Sequence, residues 1–147
     1  MTSEVIHARK VYHEIPFAHR APFHHGHCRF IHGHNWTIEI EFAAPDRDEN
    51  GFVVDFGKLK PFRQYLEDDF DHAFVVSETD PLLDVFKEIT TDYELFKLKV
   101  VEDCSCEGLA RHFHKVFSHL LKKIRPDASI VEVVVREDLK NSTVISK

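Results

Sequence analysis

The chain is short of cysteine and lacks the marks of secretion, membrane insertion or nucleic-acid binding. Its three cysteines are Cys28, Cys104 and Cys106. An odd number of thiols without a leader points to a reducing compartment rather than a disulfide framework. Cys104 and Cys106 stand too close for an easy bridge and read as packing residues near a helix start. The first ten residues, M-T-S-E-V-I-H-A-R-K, contain no apolar stretch of the kind a secretion signal needs. No apolar run approaches membrane-spanning length, so no membrane partner is expected. The formal net charge of −6 lacks the basic footprint of a nucleic-acid binder. Repeats, low-complexity runs and linkers are also missing. The expectation is one cytoplasmic domain over residues 1–147, long enough to bury a core without staples.

Two residue types are abundant instead. There are 13 Phe against one Trp and one Met, and there are 12 His. Most of the histidines lie between His7 and His34. Such clustering favours metal binding or proton transfer, because imidazole is the commonest metal ligand and titrates near neutral pH. The densest stretch is C-R-F-I-H-G-H-N, Cys28 to Asn35. On a strand, residues i and i+2 share a face, so His32 and His34 point the same way, with Gly33 leaving room for close approach. Two imidazoles on one face make two thirds of a catalytic zinc site, which uses three protein ligands and keeps one position open. The plainer alternative is two histidines that happen to start a strand.

The periodicity predicts an α+β fold. Residues 4–19 read as a first strand, with Val5, Val11, Ile15, Phe17 and His19 on one parity and Pro16 demanding an edge or a bulge. Residues 20–31 form a loop. His34, Trp36, Ile38, Ile40 and Phe42 then alternate with polar residues, which is a half-buried strand carrying His32 and His34 on its apolar side. Residues 44–51 turn the chain, and a short strand, Phe52–Val54, leads to Asp55 as a helix cap. A helix follows to about Phe70. Asp80-Pro81 opens a short helix to about Ile89. Leu95–Val101 reads as a strand. Ser105 or Cys104 caps a long helix with a stripe of Leu109, His112 or Phe113, Val116, Phe117, Leu120 and Ile124, ended by Pro126. Residues 129–137 form the last strand. Helices are expected on one face of the sheet.

His19 is the candidate third ligand, since antiparallel neighbours joined by a loop bring it near His32 and His34. His24, His25 and His27 compete from the loop. Cys28 is a candidate base or nucleophile: a thiol near Arg29, histidines and a metal has a lowered pKa. It could equally be a small buried hydrophobe or a zinc ligand. In Asp71-His72 a carboxylate can fix the tautomer of an imidazole, although adjacent residues at a helix end are often just solvated. Glu137, at a strand end, could accept a ligand's paired N–H donors or simply face water. Glu107 is explained by the helix dipole.

Six segments resemble, in order and over nearly the whole chain, the 6-pyruvoyl-tetrahydropterin synthase / 6-carboxy-tetrahydropterin synthase family. They are F-A-H-R (17–20), C-x3-H-G-H-N (28–35), G-F-V-V-D-F-G-K-L-K (51–60), F-D-H (70–72), C-x-C-E-G-L-A (104–110) and V-R-E-D (135–138). The resemblance implies the tunnelling fold (T-fold), with a four-stranded antiparallel sheet and two main helices on one face. It implies a homo-hexamer, a dimer of trimers, with sites between subunits. It also implies residue roles: His19, His32 and His34 as zinc ligands, Cys28 as the proton-abstracting thiol, Asp71 and His72 as an acid/base relay, and Glu137 as the anchor of a pterin ring. Ser105 is implied as a further substrate contact, where the family's usual Pro-Thr is Cys104-Ser105. Asp138 replaces the usual Thr after the anchoring Glu.

Three residues between Cys28 and His32 resemble the bacterial and archaeal 6-carboxy-tetrahydropterin synthases of the queuosine pathway. The implied reaction converts 7,8-dihydroneopterin triphosphate to 6-carboxy-5,6,7,8-tetrahydropterin, acetaldehyde and triphosphate. Arg20 and Arg29 are weak candidates for triphosphate contacts, apart from the roles the resemblance implies. One alternative is the pyruvoyl-forming synthase, which eliminates triphosphate with the same ligands. Another, of a different class, is a non-catalytic zinc- or pterin-binding oligomer; the joint presence of Cys28, Asp71, His72 and Glu137 speaks against it.

Overall fold

The computed structural model describes residues 4–147, and the reading of an absent leader over residues 1–10 lies partly outside them. Among the described residues, six strands and three α-helices follow in the order β1 (Ala8–His19), β2 (His32–Ala43), α1 (Lys60–Asp69), β3 (Ala73–Ser77), α2 (Leu83–Tyr93), β4 (Lys97–Val101), α3 (Cys106–Ile124), β5 (Ser129–Arg136) and β6 (Ser142–Ser146). They form one mixed sheet in the order β4-β3-β1-β2-β5-β6. The β1/β2, β2/β5 and β5/β6 pairs are antiparallel, whereas β3 runs parallel to both β1 and β4. The expected four-stranded antiparallel sheet is therefore present as β1-β2-β5-β6, extended by two parallel strands.

The expectation of helices on one face holds only for α1 and α3. Their side chains join Phe17, Trp36 and Phe42 in the main core. The abundant phenylalanines fill it: Phe62 stacks on Phe117 at 4.7 Å, and Phe70 meets Phe17 and Phe113. Helix α2 covers the opposite face. Every residue of β3 is buried. Ala73 and Val75 face the main core, while Phe74 and Val76 pack with Phe86 of α2 in a second cluster. Burial on both faces is normal for parallel strands, and it makes an apolar run such as A-F-V-V-S unreadable by alternation.

The parity expected for β1 fails halfway. Tyr12 pairs with Ile38 and Ile15 with Trp36, so His13 and Glu14 together oppose one residue of β2. This is a β-bulge, with Glu14 in the left-handed region at φ 57°. The extra residue moves the buried row from Tyr12 to Ile15, Phe17 and His19. Val11 is thus off the core row, and His19 is on it because of the bulge. Phe52–Val54 is not a strand; Asp55 caps a single 3-10 turn, Phe56–Lys58, accepting a hydrogen bond from the Gly57 amide. Strand β6 has no counterpart among the expected strands. Its turn is made by Asp138, whose carboxylate accepts from the Lys140 and Asn141 amides, both at 2.7 Å. Those bonds hold the Asp138 carboxyl below its ordinary pKa. Among the described residues, no helix is long and apolar enough to cross a membrane.

Candidate metal centre and its cavity

His19 ends β1 and faces His32, its register partner at the start of β2. His34 follows two residues on, with its side chain on the same side of the strand. The three rings sit edge to face, 4.7 Å apart for His19 and His32 and 5.0 Å for His32 and His34. One nitrogen from each lies within 4.8 Å of the others. Trp36 forms the floor: it is buried, its ring lies 4.9 Å from His19 and 5.1 Å from His34, and its indole N–H donates to the Phe17 carbonyl at 3.0 Å.

The side chains suit a metal. His19 Nδ1 lies 2.8 Å from the Cys104 carbonyl, and His32 Nδ1 lies 2.7 Å from the Phe30 carbonyl. A carbonyl accepts only, so both rings carry their proton on Nδ1 and keep the Nε2 lone pair free. His34 Nε2 is buried with no hydrogen-bond partner, an orphan that an ion would satisfy. Burial pushes His19 down to about 4, against the pull of its carbonyl partner. Burial also lowers His34, opposed by Glu137. Neutral imidazoles are what coordination requires. Gly33 is exposed, and a Cβ there would meet only the Phe17 carbonyl oxygen at 3.8 Å, so the expected need for room is absent.

The cluster opens into a cavity of about 1140 Å³. Cys28 lines it from the 3-10 turn His27–Arg29, with its side chain exposed. Glu137 lines it from the end of β5, its Oε2 3.7 Å from His34 Nε2, too long for a hydrogen bond. Ser105 lines it while capping α3, its hydroxyl accepting from the Gly108 amide at 3.0 Å. His24 and His27 reach the cavity wall without joining the cluster; His25 does not line it. Glu107 faces the cavity, as does Thr143 of the unforeseen β6. In the sequence the helix dipole alone explains Glu107; Thr143 has no signal there, since its strand is not among those expected.

Two expected partners are elsewhere. Asp71 and His72 do form a pair, Oδ1 to Nδ1 at 2.6 Å, but neither lines this cavity. His72 adopts φ 61°, which aims its amide at the Pro16 carbonyl, and its side chain is 84% exposed. Both guanidiniums already make hydrogen bonds. Arg20 makes two 2.7 Å bonds to buried Asp80, and Arg29 holds the carbonyls of His25 and Gly26 in its own loop. Arg20 still lines the cavity, and Arg29 is exposed with its Nε and Nη2 unengaged among the described residues.

Comparison with known proteins agrees with this geometry. A family model described as 6-pyruvoyl tetrahydropterin synthase matches residues 9–147. The chain belongs to that family. A 6-carboxy-5,6,7,8-tetrahydropterin synthase of Rickettsia bellii is 31% identical over 111 residues, covering 74% of this chain and 79% of its own. The Aquifex aeolicus enzyme of the same name is 27% identical over 113 residues, covering 75% and 70%. Among solved structures, an uncharacterized protein of Wolinella succinogenes superposes with a TM-score of 0.84 at 18% identity, covering 99% of each chain. The 6-pyruvoyl tetrahydropterin synthase of Caenorhabditis elegans does so at 0.64 and 21%, covering 98% and 96%. The fold is the T-fold of these synthases, here with six strands, and the chain is a lyase of the pterin-synthase type.

Proposed function

We propose that this lyase is zinc-dependent and converts 7,8-dihydroneopterin triphosphate and water to 6-carboxy-5,6,7,8-tetrahydropterin, acetaldehyde and triphosphate, a step of queuosine biosynthesis in the cytoplasm. The observation that carries the reading is one cavity lined at once by the three-histidine cluster, the Cys28 thiol and the Glu137 carboxylate. The names of the bacterial relatives and the three-residue gap between Cys28 and His32 support the 6-carboxy product over the pyruvoyl one. His19, His32 and His34 would hold the zinc, which would supply Lewis acidity toward the substrate's reacting C–H bond.

Each protein group then has a task. Glu137 accepts the paired N–H donors of the pterin ring and fixes its position, with Ser105 beside it. The Cys28 thiolate removes the activated proton. His72, its Nδ1 proton directed to Asp71, shuttles protons during the internal redox step and the elimination. Because the Asp71–His72 pair lies outside the cavity of its own subunit, the reading has it act on a neighbouring subunit's cavity in a homo-oligomer, a hexamer in the family's pattern. Incubating the zinc-loaded protein with 7,8-dihydroneopterin triphosphate tests the proposal. Acetaldehyde together with 6-carboxytetrahydropterin is expected; a pyruvoyl product without acetaldehyde would move the protein to the alternative activity, and pterin binding without turnover to the non-catalytic one.

A further inference from the structure

The irregular stretch between β4 and α3 carries the carbonyl that orients His19, and nothing in a strand or helix ladder holds that carbonyl in place. Cys104 lies there, buried, with its oxygen on His19 Nδ1. The Ser105 amide of the same peptide donates to Asp103 Oδ1 at 2.9 Å, and the residue itself is held by Ser77 of β3. The Cys104 amide donates to the Ser77 hydroxyl oxygen at 2.9 Å, and the Ser77 hydroxyl donates to Cys104 Sγ at 3.2 Å. The thiol in turn donates to the Arg20 carbonyl at 3.3 Å, beside His19 in the sequence. Ser77 is buried, so each of these bonds replaces water that cannot reach the site. From the other side, Gly108 packs so close to Asp103 that a Cβ would collide with its backbone oxygen.

We propose that Ser77 is a positioning residue for the metal centre, acting on His19 through the backbone of Cys104. The inference rests on the metal reading of the three histidines. A carbonyl partner fixes both the tautomer and the ring plane of a histidine ligand, and outer partners of this kind carry a share of metal affinity. Removing the Ser77 hydroxyl leaves the Cys104 amide buried without an acceptor. The backbone at Cys104 then shifts toward another partner and carries its carbonyl away from His19 Nδ1.

Two measurements on the intact protein test this. The first is the nitrogen NMR signature of His19 in the metal-free protein, which reports the tautomer without any metal. The second is zinc affinity by competition with a chelator. Ser77→Ala is expected to lose the single Nδ1–H tautomer and to weaken zinc binding by about 10- to 100-fold. Ser77→Thr, which keeps the hydroxyl, is expected to restore both. Should Ser77→Ala not fold, Ser77→Cys, with a similar volume and a poorer acceptor, is expected to show a smaller loss of the same kind. Zinc binding within twofold of wild type in whichever of these two variants folds overturns the proposal. A wild-type protein that binds zinc no more tightly than His32→Ala overturns the metal reading instead, and the His19 tautomer then still decides whether Ser77 orients the ring.

Discussion

The three-histidine cluster and the Asp71–His72 pair both rest on imidazole, and they are held in opposite ways. His19 and His32 are locked by a strand register, their Nδ1 atoms bound to main-chain carbonyls and Trp36 packed beneath. His72 sits in a left-handed turn with a single carboxylate partner and its ring in solvent. A site that must hold a cation in fixed geometry benefits from a rigid, dry floor. A group that passes protons to something outside its own subunit must protrude. The cavity gathers the three histidines, Cys28 and Glu137 but not the Asp71–His72 pair, and the proposed oligomer would account for that contrast.

The largest expected effect breaks the chemistry inside the cavity. Cys28→Ala should lower turnover of dihydroneopterin triphosphate by about 10²- to 10⁴-fold, the usual worth of a positioned base, while zinc content stays unchanged. Undiminished steady-state turnover would remove Cys28 from the base role. Next, the floor under the cluster can be taken away. Trp36→Ala should cost about 3–5 kcal/mol of stability, measured by denaturant unfolding of the metal-free protein. His72→Ala, by contrast, should leave unfolding within about 0.5 kcal/mol of wild type, as an exposed side chain does.

The comparison sharpens further when the two halves are mixed. Cys28→Ala and His72→Ala proteins, each inactive, should regain up to roughly a quarter of wild-type activity when co-refolded, because random assembly pairs an intact thiol with an intact relay across a subunit boundary. No recovery in oligomers shown to be mixed would place both groups in one subunit's site.

The smallest effect concerns pH. Burial lowers His19 to about 4 and His112, paired with the Tyr65 hydroxyl at 2.7 Å, also to about 4. In the unfolded protein both titrate near 6.5, so the unfolded state takes up protons first as pH falls. The stability that these histidines contribute when neutral is present above about pH 6.5 and is lost progressively toward about pH 4. Unfolding of metal-free protein across that window should show this loss, and His112→Gln should flatten the slope. An unchanged slope would mean His112 titrates normally.

Much of the site was legible because β2 alternates so cleanly. Trp36, Ile38, Ile40 and Phe42 set a parity, His32 and His34 extend it, and the structure keeps it throughout. The helix ends were readable for a similar local reason: Ser105 caps α3, and the helix stops at Ile124 before Pro126. What escaped was set by non-local pairing. A bulge at His13 and Glu14 leaves no mark in the apolar pattern, yet it decides which face His19 takes. A doubly buried β3 looks the same whether its neighbours run parallel or antiparallel, and β6 is too short and polar to stand out beside the turn Asp138 makes. The separation of the cavity from the Asp71–His72 pair has no signal in periodicity; only the resemblance, with its sites between subunits, implied it.

The central claim is that His19, His32 and His34 together hold a metal. Zinc content of purified wild-type protein and of His32→Ala, measured by elemental analysis alongside a folding check, tests it most directly. The account predicts about one zinc per subunit in wild type, as for a three-histidine open site, and a near-complete loss in the folded variant. Full occupancy in folded His32→Ala would contradict it.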